Sequence, residues 1–178
     1  MSRLQLGQTD LIKLVPMTES QYQVFIKIST ADQVQNQIKS GLMTPDGAAA
    51  AIATQQKRML PEGLATPNHF FFAIETAADG EKVGDLWFTT MKRGGKEQGF
   101  VMDIQVDPSY RRRGYGRSAL RAIEDFARQR GLAEMGLSVF GHNAPARSLY
   151  QQLGYREIGI TMSKDLLASV SAEERTPE

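Results

Sequence analysis

A short basic turn with two glycines is the segment of this sequence best suited to chemistry. Three consecutive arginines, Arg111 to Arg113, precede Gly114 and Gly116. Alternating apolar residues before the turn predict a strand, and the helical spacing of apolar residues after it predicts a helix. The first turn of a helix leaves amide groups unpaired and carries partial positive charge, and glycine lets a ligand approach the main chain. The turn therefore predicts a site for the phosphate groups of a ligand.

The spacing of the glycines narrows the kind of phosphate site. The sequence contains no Gly-x-x-x-x-Gly-Lys-Ser/Thr run, so it has no Walker-type loop. Gly114-Tyr115-Gly116 is followed by Arg117-Ser118-Ala119, so the third glycine of a dinucleotide fingerprint is missing. A nucleotide-binding protein of either kind is not expected.

A second segment, Asn143 to Tyr155, also reads as a functional unit. It follows a predicted strand, Leu137–Phe140, and begins with Asn143 as the N-cap of a helix. Pro145 stands in the first turn, where proline is tolerated, and Gly154 ends the helix. The sequence therefore places a capped helix directly after a predicted strand.

Both segments resemble motifs of the GCN5-related N-acetyltransferases. Arg111, Gly114 and Gly116 are similar to that family's Arg/Gln-x-x-Gly-x-Gly/Ala turn. The second segment is similar to the family's Asn-x-x-Ala-x-x-Leu-Tyr-x-x-x-Gly-Phe/Tyr motif at Asn143, Ala146, Leu149, Tyr150, Gly154 and Tyr155. The loop from Leu60 to His69 looks like that of a bacterial subgroup of undefined acceptor.

The resemblance implies acetyl-CoA as co-substrate and transfer of its acetyl group to an amine of a small molecule or peptide. The amides of the turn would hold the diphosphate, and the strand before the turn would pair with the pantetheine arm. Direct attack in a ternary complex is favoured because the chain has no cysteine to carry the acetyl group. The implied cofactor-binding residues are Ile104, Gln105, Val106, Arg111, Arg112, Arg113, Gly114, Tyr115, Gly116, Arg117, Ser118, Asn143, Ala146 and Tyr150.

Three residues are candidates for catalytic roles. Tyr150 is the candidate proton donor to the leaving thiolate, and its alternative is a core aromatic on a helix face. Asp103 is the candidate base for the amine, with a structural carboxylate and a chain of water molecules as alternatives. Alternation places Asp103 on the same strand face as Val101 and opposite Met102. His142 is the third candidate, although a histidine before a helix is more often a cap or packing residue.

Other functions receive less support from the sequence. His69 could line the acceptor pocket, whereas Trp87 and Phe88 fit a core better than a binding platform. A non-catalytic acetyl-CoA sensor or interaction module would keep the basic turn but would not need Tyr150. Nucleic-acid binding is not expected, because the arginine cluster is short and lacks interleaved aromatic residues.

The composition of the chain excludes several classes of protein. The chain has 178 residues, a formal net charge of +1, two histidines and no cysteine, so neither a metal site nor a disulfide framework is expected. The sequence has no long apolar stretch, which predicts a cytoplasmic protein without a membrane partner. Members of the family often dimerise, so a homodimer is left open, but no segment identifies an interface.

These residues would be positioned by an α/β domain. The patterns predict a strand, two helices, three meandering strands, a helix, a strand, a helix and a final strand at Gly159–Lys164. With the resemblance, this order implies a mixed central sheet of six to seven strands with helices on both faces. A single domain is expected over residues 10–165, with an N-terminal extension at 1–9 and a disordered tail at 169–178.

Overall fold

The computed structural model describes residues 9–164 and residue 166, and its centre is one mixed β-sheet. The sheet has five strands in the order β1-β2-β3-β4-β5; β1 to β4 pair antiparallel, and β5 runs parallel to β4. The strands are β1 (Ile12–Pro16), β2 (His69–Thr76), β3 (Lys82–Arg93), β4 (Lys96–Val106) and β5 (Met135–Leu137).

The expectation of six to seven strands was therefore wrong within the described part of the chain. The alternation at Gly159–Lys164 predicted a strand, but this segment pairs with no described strand and is not a strand of the sheet. The strand predicted at Leu137–Phe140 begins and ends earlier, because β5 pairs with β4 only at Met135, Gly136 and Leu137. The expected extension at 1–9, apart from residue 9, and the expected tail at 169–178 lie outside the described residues.

Four α-helices accompany the sheet: α1 (Glu19–Lys39), α2 (Pro45–Met59), α3 (Tyr115–Gln129) and α4 (Ala144–Gln152). A capping box starts α1, because the side chains of Thr18 and Gln21 each accept from the other residue's amide. Thr44 is the N-cap residue of α2, but its side chain makes no capping hydrogen bond, and Gly47 has a φ of 79°. The backbone is non-helical at Asp46 and Gly47, so the regular part of α2 starts after that kink.

Helices cover both faces of the sheet, as the sequence predicted. One face packs against α3, with Leu86, Phe88, Ile123 and Phe126 in its core. The other face packs against α1, with Phe71 and Trp87 beneath Tyr22 and Phe25. Trp87 and Phe88 are both buried, in line with the core role predicted for them. In the described residues, no helix combines the length and the apolar character that a membrane span requires.

A β-bulge in β4 changes which side chains share a face. Trp87 pairs with Asp103 and Phe88 pairs with Val101, so Met102 has no partner on β3. Strict alternation put Asp103 on the face of Val101 and away from Met102. In the structure Val101 lies in the core under α3, whereas Met102 packs against the core under α1 and Asp103 contacts α1. The extra residue therefore turns the Asp103 carboxylate towards α1.

Candidate active site

The basic turn forms the start of α3 and exposes main-chain amides. Gly114 is the N-cap with a φ of 88°, and Arg112 also has a positive φ of 65°. The Ser118 amide donates to the Gly114 carbonyl at 3.0 Å, so the amides of residues 115–117 precede the first hydrogen bond of the helix. Left-handed residues in such a turn let successive N–H groups converge on an anion. The helix dipole adds positive potential at the same point.

The two glycines of the turn have different structural needs. Gly114 has the left-handed backbone that side-chain-bearing residues rarely adopt. Gly116 has no positive φ, and a methyl group at its Cα would meet Leu149 and Val106 only at ordinary contact distance, 3.7 Å. The protein itself therefore leaves room for a methyl group at Gly116.

Most arginines of the turn are held by protein groups. The Nε of Arg111 donates to the carbonyl of Val106 at 2.9 Å, and the guanidinium of Arg113 lies 5.7 Å from the centre of the Tyr110 ring. Arg117 donates to Gln152 and so connects α3 to α4. Arg112 is exposed, and its side chain makes no ion pair with any residue that the structure describes. Arg111 and Arg117 thus fix the geometry of the turn while also contributing positive charge.

β4 and β5 are paired over three residues only, and this opens a gap beside the turn. The last pair joins Val101 to Leu137, so Ile104, Gln105 and Val106 have no strand partner on the β5 side among the described residues. The Val106 carbonyl accepts from Arg111, and the remaining unpaired peptide groups on that side are available to an extended ligand. The gap ends where the basic turn begins.

The Asp103 carboxylate is held at this gap by two side chains. Its Oδ2 accepts from the Ser29 hydroxyl at 2.5 Å and from the Gln105 amide at 3.0 Å. Burial raises the pKa of Asp103, the two hydrogen bonds lower it, and the nearby charge of Asp32 raises it again. The result is a carboxyl whose pKa lies above its ordinary value.

Tyr150, the candidate proton donor, is on α4. Its ring packs against the core under α3 and lies 5.9 Å, edge to face, from the ring of Tyr155. Burial raises the pKa of Tyr150, and the negative charge of Asp103 raises it further. The phenol is therefore protonated at neutral pH, and the charge of Asp103 acts on it electrostatically.

The loop between β5 and α4 borders the gap. Asn143 caps α4, because its Oδ1 accepts from the Ala146 amide at 3.3 Å. Its NH₂ group takes no part in this cap and can donate to a ligand. A nitrogen of the exposed His142 lies 3.1 Å from Oδ1 of Asn36 on α1, and its ring stacks on Phe140. These contacts connect the loop to α1 and favour a positioning role for His142.

The sequence of the chain matches the model of the acetyltransferase (GNAT) family over residues 41–155. This range contains the basic turn, the bulged strand and the helix that bears Tyr150. The chain belongs to the acetyltransferase (GNAT) family. The enzyme class expected from the two motifs is thereby confirmed at the level of the family.

Relatives of this GNAT protein agree in both sequence and fold. The uncharacterized N-acetyltransferase YycN of Bacillus subtilis is 31% identical over 87% of this chain and 99% of its own length. A crystal structure of YycN superimposes with a TM-score of 0.82 over 87% of this chain and 98% of that structure. The uncharacterized N-acetyltransferase YdgE of the same organism is 31% identical over 86% of this chain and 97% of its own length. A [ribosomal protein bS18]-alanine N-acetyltransferase of Escherichia coli is 39% identical over 36% of this chain and 43% of its own.

His69 lies on the α1 face of the GNAT sheet, and one of its ring nitrogens is hydrogen-bonded to Trp87. Its Nδ1 accepts from the indole N–H of Trp87 at 3.0 Å, and burial lowers the pKa of His69. The imidazole is therefore neutral at pH 7. Because Trp87 pairs with Asp103 across the strands, His69 lies two side chains away from the carboxylate.

Sequence reasoning missed the contribution of α1 to this site. Ser29, Asp32 and Asn36 each interact with a site residue, although α1 carries no recognisable motif. A signal was present in their spacing. They continue, at intervals of three and four residues, the stripe that begins with the buried Tyr22 and Phe25. A helix face that changes from apolar to polar along its length indicates that the helix passes from the core to a polar cleft.

Proposed function

We propose that this GNAT protein is an acetyl-CoA-dependent N-acetyltransferase that transfers the acetyl group to an amine by direct attack in a ternary complex. The single observation that carries the proposal is that the unpaired end of β4 leads directly into the exposed amides at the start of α3, with Asp103 on the same strand and electrostatically coupled to Tyr150. One end of the gap offers amides and positive charge, and the other offers an acid and a carboxylate.

The coenzyme would lie along the gap. Its diphosphate would accept from the amides between Arg112 and Ser118 and would be attracted by the arginines. Its pantetheine arm would pair with the open edge of β4 at Ile104, Gln105 and Val106. Asn143 and Ala146, at the start of α4, would border the arm from the other side, with the Asn143 NH₂ as donor.

The reaction then needs two proton movements. The amine nitrogen attacks the thioester carbon, the carbon–sulfur bond breaks, and Tyr150 donates its proton to the departing thiolate. A phenol of pKa about 10 is a weaker acid than a thiol of about 8.5, so this transfer is uphill by roughly 2 kcal/mol in water. Burial raises the pKa of a phenol, and it also raises the pKa of a thiol held in the same site. The difference between the two pKa values therefore grows by less than the rise in the pKa of Tyr150 alone.

Asp103 would act on the amine. Its carboxylate attracts the acceptor as an ammonium, and the proton then leaves through water to the carboxylate, which frees the lone pair for attack. His142 would position the loop that borders the arm, since its ring nitrogen is engaged with Asn36. The residues that surround Asp103 on α1 would form the acceptor side of the cleft.

The names of the relatives do not identify the acceptor amine of this chain. One relative named for its acceptor, the alanine of ribosomal protein bS18, matches only 36% of this chain, and the streptothricin acetyltransferase of Streptomyces lavendulae matches 48% of it. The negative charges of Asp32 and Asp103 favour cationic amines over acidic ones. A peptide with a free amino terminus and a small polyamine both meet this requirement.

The test is an acetyl-CoA turnover screen across amine classes, in which free thiol release is followed in the presence of peptides, polyamines, amino acids and aminoglycosides. The proposal predicts amine-dependent thiol release with at least one cationic class and formation of the acetylated amine by mass. Saturable binding of acetyl-CoA without turnover for any class would instead indicate a sensor.

A further inference from the structure

Asp32 is a carboxylate in the middle of α1 that the fold does not explain. It is exposed, and it forms no ion pair or hydrogen bond with any residue that the structure describes. A carboxylate stabilises a helix in its first turn, but the first turn of α1 begins at Glu19, well before Asp32. Aspartate is also a poor helix former in a helix interior. The stability of α1 therefore gives no reason for a carboxylate at this position.

No neighbour on α1 neutralises the charge of Asp32. A lysine or arginine pairs with an acidic residue of the same helix from three or four positions away. These positions hold Ile28, Ser29, Gln35 and Asn36, and none of them is cationic. Among the described residues, the negative charge of Asp32 is therefore uncompensated.

Asp32 lies between the two contacts that connect α1 to the candidate active site. Ser29, three residues before it, donates to Asp103 at 2.5 Å, and Oδ1 of Asn36, four residues after it, is 3.1 Å from a ring nitrogen of His142. Residues at these intervals share one face of a helix. The charge of Asp32 also raises the pKa of Asp103, so the two carboxylates are close enough to repel each other.

The spacing of the two carboxylates suits a molecule with two positive charges. Asp103 is bonded to Ser29, and Asp32 follows Ser29 by about 4.5 Å along the helix axis. Two ammonium groups joined by three to five methylene groups are roughly 5–8 Å apart in an extended chain. Such a molecule can place one ammonium beside each carboxylate, which replaces a repulsion by two attractions.

An apolar side chain lies next to Asp32 on α1. Ile28 precedes Asp32 by four residues, so the two side chains are neighbours on the helix surface, and Ile28 is 48% exposed. Methylene groups lose water-exposed apolar surface when they pack on such a side chain, whereas a hydroxyl-rich sugar ring gains less from it. This surface favours an aliphatic chain between the two cations.

We propose that Asp32 determines the acceptor class, which is an aliphatic diamine or polyamine: one nitrogen is acetylated next to Asp103 while a second stays charged at Asp32. The inference rests on the proposed transfer reaction, which assigns Asp103 to the attacking nitrogen. The carbon–nitrogen bond forms as the carbon–sulfur bond breaks. The attacking ammonium gives up two protons, of which one leaves to water through Asp103 and the other replaces the proton that Tyr150 gives to the thiolate. A peptide whose only cation is its own terminus lacks the second charge.

The first experiment measures amine binding without catalysis. Calorimetry follows 1,4-diaminobutane or 1-aminobutane into the full chain with coenzyme A, which has no acetyl group to transfer. The wild type should bind the diamine at least about 5-fold more tightly than the monoamine, the upper range for an exposed ion pair. Asp32→Asn should bind the two amines within about 2-fold of each other. Undetectable binding of the diamine, equal affinities in the wild type, or a preference that Asp32→Asn retains would overturn the proposal.

Glu97→Gln is the matched control, since it removes the same charge from an exposed residue of β4. Glu97 is six residues from Asp103, roughly 20 Å along the strand, which exceeds the screening length of about 8–10 Å in physiological salt. This variant should keep the wild-type preference for the diamine. A loss of preference as large as that of Asp32→Asn would show that net charge governs binding, and would disprove a specific role for Asp32.

The second experiment measures kcat/KM for the same two amines by thiol release. Asp32→Asn should lower the diamine-to-monoamine ratio of kcat/KM by at least about 5-fold, chiefly through KM. The ratio cancels the effect of Asp32 on the ionisation of Asp103, because both amines use that carboxylate. An unchanged ratio would overturn this inference and leave the transfer reaction standing. If no amine gives thiol release, the transfer reaction is refuted, and the binding experiment still decides the role of Asp32.

Discussion

The hydroxyl of Ser29 on α1 donates to Oδ2 of Asp103 on β4 at 2.5 Å, across a separation of 74 residues in the sequence. This hydrogen bond stabilises the ionised carboxylate, whereas burial of Asp103 opposes ionisation. α1 therefore controls the charge of the carboxyl that we place next to the acceptor amine.

Removal of this hydroxyl should change the pH dependence of turnover. Ser29→Ala removes a hydrogen bond that lowers the pKa of Asp103, so that pKa rises further above its ordinary value. The acidic limb of the kcat/KM profile should then move to higher pH, because a higher pH is needed to ionise Asp103. Ser29→Thr, which keeps a hydroxyl, should restore the wild-type profile.

Thr30→Ala is the control for that profile. The Thr30 hydroxyl is also on α1 but donates to the Ile26 carbonyl and to Gln56 instead of Asp103. Its loss should leave the acidic limb in place. An identical pH profile for wild type and Ser29→Ala would show that the ionisation of Asp103 does not determine the acidic limb.

Neutralising Asp103 should stabilise the fold at high pH. Burial raises the folded-state pKa of Asp103 above its unfolded value, so its favourable contribution to stability is complete below the unfolded pKa and is lost as pH rises through the folded pKa. Asparagine does not titrate, so the stability of Asp103→Asn has no such pH-dependent contribution at this position. The free energy of unfolding of Asp103→Asn relative to wild type should therefore increase between pH 4 and pH 8 in urea titrations. A difference that stays constant or falls with pH would show that the carboxylate is better stabilised than its burial suggests.

Tyr150→Phe should separate binding from chemistry. Loss of a general acid typically costs about 10²–10⁴ in rate, so kcat should fall by at least about 100-fold while the Kd for acetyl-CoA changes by less than about 2-fold. Tyr155→Phe is the matched control, because the Tyr155 hydroxyl is buried near Glu124 and its ring contacts Tyr150. Stopped-flow thiol release and calorimetry give the two quantities. Parallel losses of kcat and affinity in Tyr150→Phe would argue against proton donation.

The two glycines of the turn should respond differently to alanine. Gly114→Ala places a side chain at a φ of 88°, which costs about 1–2 kcal/mol and should lower Tm by roughly 2–8 °C. Gly116→Ala meets only ordinary contacts at 3.7 Å and should leave Tm unchanged or slightly higher. Differential scanning calorimetry measures both, and equal losses of Tm would contradict the assigned backbone roles.

Local features of the fold could be predicted from the sequence. The strand–turn–helix order around Gly114 and the helix capped by Asn143 depend on neighbouring residues, and the structure contains both. The roles of the site residues are proposals, and the structure adds an electrostatic effect of Asp103 on Tyr150.

The remaining features depend on contacts between distant segments. The bulge at Met102 follows from how β4 pairs with β3, and periodicity within β4 contains no sign of it. The contact of Ser29 with Asp103 required the placement of α1 over that bulge. The strand predicted at Gly159–Lys164 pairs with no described strand, because alternation within a segment does not show which sheet edge it would pair with.

Calorimetric titration of acetyl-CoA into the purified chain tests the central claim most directly, because that claim is that the start of α3 holds the diphosphate of the coenzyme. The wild type should bind with saturable heat. Gly116→Val should bind at least about 10-fold more weakly, since its branched side chain lies next to the amides of the turn. The absence of binding heat at millimolar acetyl-CoA, or equal affinity in the two proteins, would contradict the account.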